Sequence, residues 1–365
     1  MANKKKLATQ LTLDQIEYLE KLDKYKFFYK SPKREIVPIE DLKLNLLAEE
    51  KLEYILKEYK DNIPSLFLDN WSRVKLYNPK GDLNNAKALL IDPKDGAYDV
   101  KNKLNFLTGK AWTKFTCSWF IFNALHSDIK EEKSVCSETE EHPATFSPTM
   151  ISEFIEFFTK EKMSVLDPFG GIGSTLVAAK RTNRIGYGIE LNSKYFEIIK
   201  KRVPEFEKNI FNRDSRDIDK LGLPPIDFSI SSPPYWDMLN RSTDGFKKDR
   251  EVKGLDVNYS ESNNDLGNIK EYDKFVEQAC LVYEKMYDIL ADGAYLVVIV
   301  KNIKKGGRMY PLAWDMARRL GQKYVLKDEK LWIQDKIGLS PYGYPNSWAS
   351  NILHHYCLIF RKESL

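Results

Sequence analysis

Ser164-Val165-Leu166-Asp167-Pro168-Phe169-Gly170-Gly171-Ile172-Gly173-Ser174-Thr175 is the stretch on which the reading of the fold turns. A short apolar run ends in a glycine-rich turn, and a helix is expected to follow over 175–181. Glycines in such a turn let the backbone approach a ligand closely, and the helix N-terminus offers N–H groups that have no partner inside the helix. The next strand is expected over 185–189 and ends at Glu190, about 20 residues on, where an acidic side chain takes two ribose hydroxyls. A dinucleotide site would show Gly-x-Gly-x-x-Gly, but here Gly171-x-Gly173 is followed by Leu176. Asp167 at the head of the turn does not suit a pyrophosphate, whereas it does suit an ammonium group.

Outward from this turn the same alternation continues. The pattern predicts a helix over 194–202, strands near 208–211 and over 227–231, and a central strand over 294–300, where Ala-Tyr-Leu-Val-Val-Ile-Val is almost wholly apolar. A helix over 312–320 and strands over 325–333 and 356–361 complete the series. Strands alternating with helices at this spacing predict an α/β, doubly wound, Rossmann-like sheet. Upstream, the first hundred residues read as mainly helical. Thr12-Leu13-Asp14-Gln15 has capping-box spacing, with Leu13, Ile16, Leu19 and Leu22 at helical intervals. A second helix is expected over 40–59, the pattern weakens over 71–109, and the aromatic-rich stretch 110–125 reads as a buried helix. The polar stretch 127–141 reads as a linker, so two regions are expected, 1–140 and 141–365, with an insertion at 237–271.

Composition narrows the class. Of 365 residues, 42% are hydrophobic and 30% charged, the balance of an ordinary globular protein. There is no apolar run of about 18 residues to span a membrane, and Met1-Ala2-Asn3-Lys4-Lys5-Lys6 leads into no apolar h-region, so a cytoplasmic protein without a membrane partner is expected. The four cysteines and four histidines show no metal-ligand spacing, so no metal is expected, and His354-His355 reads as packing or surface. A net charge of +4 is compatible with a polyanionic partner. The basic clusters Lys247-Lys248-Asp249-Arg250 and Lys301, Lys304, Lys305, Arg308 each read, taken alone, as solvated loops.

Asp-Pro-Phe-Gly-Gly-Ile-Gly-Ser-Thr resembles the cofactor motif of DNA amino-methyltransferases, the enzymes that modify cytosine N4 or adenine N6. His142-Pro143-Ala144-Thr145-Phe146-Ser147 is similar to the segment that precedes it in those enzymes. The resemblance implies S-adenosylmethionine as cofactor. His142, Ala144 and Thr145 would enclose its methionine end, and Asp167, Phe169, Gly171, Gly173, Ser174 and Thr175 would form the turn around it. Glu190 would take its ribose and Asp214 its adenine amino group.

Ser232-Pro233-Pro234-Tyr235, followed by Trp236, ends the fourth strand in order and resembles the catalytic motif of the same family. An exocyclic amine is a poor nucleophile, because its lone pair is delocalised into the ring. An acceptor at Ser232 and the carbonyl of Pro233 can bind its two hydrogens and favour a pyramidal nitrogen. The paired prolines hold that carbonyl in place. Tyr235 can stack on a base flipped out of the duplex, and Trp236 can help line the pocket. Cytosine C5 chemistry requires a nucleophilic cysteine, usually in Pro-Cys, and no cysteine here follows a proline.

The resemblance extends from His142 to Lys362, through 290–295, 330–336 and 354–362. It implies double-stranded DNA as substrate and a restriction-modification setting, with a cognate restriction endonuclease as possible partner. Serine at the head of the tetrapeptide is typical of cytosine N4 activity, with adenine N6 as the alternative; an RNA methyltransferase or a silent binding subunit stand further off. The motif order departs from many relatives, which place the catalytic tetrapeptide first, as though this chain were circularly permuted. With the core running to the C-terminus, target recognition is expected from 1–140, helped by the insertion. Arg241, Lys247, Lys248, Arg250, Lys304 and Lys305 are the expected DNA contacts.

Overall fold

The computed structural model describes residues 46–78, 85–122, 128, 146–236, 265–334 and 338–363. They fall into two compact units, Met1–Lys101 and Asn102–Leu365. The helix expected over 12–22 lies outside the described residues, as do 40–45.

In the first unit, α1 (Leu46–Tyr59) and α2 (Ser65–Asp69) accompany a small antiparallel sheet of β1 (Lys75–Tyr77), β2 (Ala88–Leu90) and β3 (Tyr98–Asp99), in that order. Ile55, Leu76, Leu89 and Tyr98 are buried. The Tyr98 hydroxyl donates to the Asn62 carbonyl at 2.6 Å, so its polar end is satisfied inside the core.

The second unit begins earlier than the sequence pattern implied. The stretch 110–125 is not one buried helix. It forms α3 (Gly109–Phe115), capped by Thr108, and then β4 (Trp119–Ile121). The Lys330 ammonium donates to the carbonyls of Phe115 and Cys117, filling the acceptors a helix end leaves open. After that stop Trp119-Phe120-Ile121 is free to join the sheet edge. Residues well before 141 therefore belong to the sheet-bearing unit.

α4 (Pro148–Phe158) starts where Ser147 accepts the Met150 N–H and Pro148 occupies the first turn. Then follow β5 (Ser164–Asp167), α5 (Ser174–Arg181), β6 (Ile185–Ile189), α6 (Ser193–Arg202), β7 (Ile210–Phe211) and β8 (Ile226–Ser231). α7 (Tyr272–Ile289), β9 (Leu290–Val300), the hairpin β10 (Ile303–Lys305) and β11 (Arg308–Tyr310), α8 (Leu312–Leu320), β12 (Val325–Ile333) and β13 (His354–Arg361) complete the unit. The eight-stranded sheet has the order β4-β12-β13-β9-β8-β5-β6-β7. Only β13 runs against its neighbours.

Both faces of this sheet are covered. Leu296, Val298 and Val300 of β9 pack in one core with Tyr283 and Met286 of α7 and Leu312 and Met316 of α8. Val297 and Ile299 pack in the other with Phe154 and Phe158 of α4. The alternation follows from the two-residue repeat of a strand, and burial on both faces explains why β9 reads as an unbroken apolar run. β6 keeps glycine at positions 186 and 188 because a Cβ there would meet Phe206 at 2.9 Å and Leu176 at 3.0 Å.

Candidate active site

From β5 the chain steps outward through β6 to β7, then returns to place β8 on the other side of β5 and steps away through β9. The carboxyl ends of β5 and β8 therefore flank a topological switch point, the place where doubly wound sheets bind ligands. A cavity of about 110 Å³ opens there. It is lined by Asp167 to Ile172, Ser174, Thr175, Glu190, Asp214 and Ser232 to Tyr235, with Phe146, Tyr195, Asp265 and Leu266 among the other walls. Two motifs far apart in sequence thus meet in one place.

One wall is built from carboxylates, Asp167 buried and Glu190 and Asp214 partly exposed. Asp167 accepts the Phe169 N–H at 2.9 Å and the Thr175 hydroxyl at 2.6 Å, which folds the turn around it. Glu190 accepts the Gly171 N–H through one oxygen and the Asn192 N–H through the other, each at 2.7 Å. Burial pushes Asp167 up to about 7 against the pull of those two hydrogen bonds. Burial likewise raises Glu190 to about 8, with the charges of Asp167 and Asp265 adding to the effect. Asp214 caps the short 3-10 helix Ser215–Lys220 by accepting the Arg216 N–H and is paired with the Arg216 guanidinium at 2.6 Å. The acid expected to meet an adenine amino group thus already holds an arginine.

Gly173 departs from its expected role. It does not line the cavity. Its φ of +88° carries the chain into α5, and a Cβ there would lie 3.1 Å from Ile199, so it shapes the turn from behind. His142, Ala144 and Thr145 lie outside the described residues, as do Arg241, Lys247, Lys248 and Arg250; Phe146, from the same expected segment as His142, lines the cavity.

The opposite wall is Ser232 to Tyr235. Ser229 donates to the Leu166 carbonyl at 2.8 Å and ties β8 to β5 beneath the motif. The Ser231 hydroxyl lies 2.9 Å from that of Tyr283. Tyr235, whose phenol burial pushes up to about 12, meets His355 Nε2 at 3.1 Å through its hydroxyl. His355 is buried and stacks on Trp332 with ring centroids 4.5 Å apart. Burial, with the charges of Lys301 and His354, drives it down to about 3, so it stays neutral. Among the described residues its Nδ1 has no hydrogen-bond partner. From the sequence His355 reads as packing or surface, because nothing local announces that β13 delivers it to the end of β8.

Trp236 corrects another expectation. It does not line the cavity but is buried in the core, with Tyr272 and Tyr310 against it at 5.1 and 4.7 Å. Lys305 sits 4.7 Å from its ring centroid, so Trp236 anchors the β10–β11 hairpin near the end of β8. Lys304 donates to Ser350 Oγ at 2.8 Å.

The sheet is doubly wound and Rossmann-like, with one reversed strand and with both motifs at its switch point. Residues 3–201 match the DNA methylase family of N6 and N4 methyltransferases, and the chain belongs to that family. It is 35% identical over 86 residues to type II methyltransferase M.HindIII of Haemophilus influenzae, covering 24% of this chain and 28% of that protein. To type II methyltransferase M.BglII of Bacillus subtilis it is 34% identical over 80 residues, covering 22% of this chain and 20% of that one. The chain thus aligns with less than a third of the length of these relatives. Among solved structures it is similar to TrmN from Thermus thermophilus, with a TM-score of 0.40 and 13% identity over 63% of this chain and 53% of that one.

Proposed function

We propose that this protein transfers a methyl group from S-adenosylmethionine to the exocyclic N4 amine of cytosine in duplex DNA, as the modification enzyme of a restriction-modification pair. The observation that carries the reading is the meeting of the Asp167–Glu190 wall and the Ser232–Tyr235 wall in one cavity. The carboxylate wall fits the cofactor. Two acids held far above their ordinary values, Asp167 buried and Glu190 partly exposed, form a site whose ionised state is favoured by a bound cation. S-adenosylmethionine supplies that cation and, when bound, an electrophilic methyl group. Glu190 would accept ribose hydroxyls, Asp167 and Thr175 would hold the methionine end, and Asp214 would face the adenine.

On the other wall Ser232 and the Pro233 carbonyl accept the two amine hydrogens and turn the nitrogen lone pair toward the methyl donor. Tyr235, braced by His355, supplies a ring for the flipped base to stack on. Positioning and charge stabilisation carry the rate, with no covalent intermediate on the protein. Serine at the head of the tetrapeptide supports cytosine over adenine. Target reading is assigned to the N-terminal region, 1–140 by the sequence pattern, with help from the 237–271 insertion.

The test is nucleoside mass spectrometry on DNA incubated with the purified protein and labelled S-adenosylmethionine. N4-methylcytosine is the expected product. N6-methyladenine would retain the site chemistry and overturn the reading of Ser232, and unlabelled DNA would overturn the assignment as a whole.

A further inference from the structure

The β12–β13 connection stands apart from the rest of the surface formed by the described residues. Over 338–353 it carries no acidic or basic side chain, yet residues 338–348 are all exposed. Leu339, Tyr342, Tyr344 and Trp348 are 72%, 59%, 82% and 87% exposed, nearly half of the large exposed hydrophobics among the described residues. Apolar surface concentrated in this way marks a contact site.

The connection is also built. At its neck the Gln334 N–H donates to the Leu353 carbonyl at 2.8 Å. Above that, Asn351 and Ser340 exchange two hydrogen bonds, at 2.9 and 3.0 Å. At the tip the Asn346 and Ser347 N–H groups both donate to the Gly343 carbonyl. Lys304 of the hairpin donates to Ser350 and lies 5.9 Å from the Trp348 ring centroid. The result is a braced finger with its aromatic rings outward.

Its position gives it a use. β13 begins at the finger's base, and its His355 holds Tyr235, so the finger rises from the rim of the catalytic cavity. The adjoining hairpin, 303–310, carries Lys304, Lys305 and Arg308 and no acid, and 305–309 is exposed. Exposed aromatics beside a basic strip match nucleic acid, whose bases offer stacking faces and whose backbone is anionic.

We propose that the finger docks duplex DNA at the target base, with Tyr344 and Trp348 packing against the bases exposed when the target leaves the stack, and the β10–β11 hairpin facing the flanking phosphates. This rests on DNA being the substrate, as argued above, and adds the surface that receives it.

The test compares full-length wild type with Trp348→Ala, Trp348→Phe, Tyr344→Ala and Arg308→Ala. The substrate is duplex genomic DNA from a methylation-deficient host with labelled S-adenosylmethionine; cofactor affinity and sedimentation are measured alongside. Trp348→Ala is expected to lower kcat/KM for DNA about tenfold, the worth of one lost base stack, with cofactor affinity unchanged and Trp348→Phe restoring most of the rate. Arg308→Ala is expected to reduce the slope of log affinity against log salt by about one. Wild-type transfer by Trp348→Ala and Tyr344→Ala would overturn the finger's role while leaving the methyltransferase assignment standing. Loss of cofactor binding in Trp348→Ala would make the finger a structural part of the site and overturn its docking role. A wild-type dimer that Trp348→Ala dissolves would reassign the surface to a second copy of the chain. If wild type labels single-stranded RNA but no DNA, the substrate reading itself falls, and the finger proposal with it.

Discussion

The two walls of the cavity are held together in opposite ways. The carboxylate wall is local: Asp167 bonds to residues two and eight positions on, and Glu190 reaches the turn and its own next loop. Its oxygens are engaged by the protein before any ligand arrives. The tetrapeptide wall is long-range: Tyr235 is braced by His355, 120 residues away, and His355 by Trp332. One wall is an electrostatic site shaped by its own backbone, the other a geometric site fixed by distant strands. The first should respond to pH and the second to substitutions far off in the chain.

The largest expected contrast is in stability. Asp167 and Glu190 have folded values of about 7 and about 8, raised from ordinary carboxylate values. Their contribution is thus fully present below about pH 4 and lost as pH rises through 7 to 8. For Asp167 alone that is on the order of 4 kcal/mol. Thermal melts of cofactor-free protein should show this fall from pH 5 to pH 8, with S-adenosylmethionine stabilising most at the alkaline end. A flat profile would remove the electrostatic half of the contrast.

Ser232→Ala is expected to slow single-turnover methyl transfer by about a hundredfold, as when one positioned hydrogen-bond partner is lost, without weakening cofactor binding. A matching loss of both would mean that the walls do not act separately. Gly188→Ala places a methyl 3.0 Å from Leu176 behind the carboxylate wall and should cost about 1–3 kcal/mol in a denaturant melt. His355→Ala should lower kcat roughly fivefold, the net worth of one hydrogen bond, and His355→Gln should recover part of it. Because His355 is held near 3, no ionisation from it should appear in the pH–rate profile between 5 and 8; one that does would contradict its neutral bracing role.

The same contrast explains what could be read from the sequence. The β5 turn, Glu190 and Ser232 to Tyr235 are contiguous signals, and each sits at the end of a strand whose pattern is plain; the expected helix over 312–320 and strand over 325–333 match α8 and β12. What was missed depends on contacts between distant residues. The break after Phe115 is met by Lys330 from 215 residues away, and the role of His355 depends on β13 running antiparallel beside β9. Trp236 follows Ser232 to Tyr235 directly, yet the hairpin and α7 draw it into the core. α4 was within reach: Ser147-Pro148 followed by Met150, Ile151, Phe154, Ile155 and Phe158 is a cap and a helical apolar face.

The most direct measurement is calorimetric titration of the wild-type protein with S-adenosylmethionine, in buffers of different ionisation enthalpy, at about pH 7 and about pH 9. If Asp167 and Glu190 form a cation site, binding lowers their values from about 7 and about 8, so protons are released at the lower pH and few or none at the higher. Tight binding with no proton release at either pH, or no binding at all, would contradict the account.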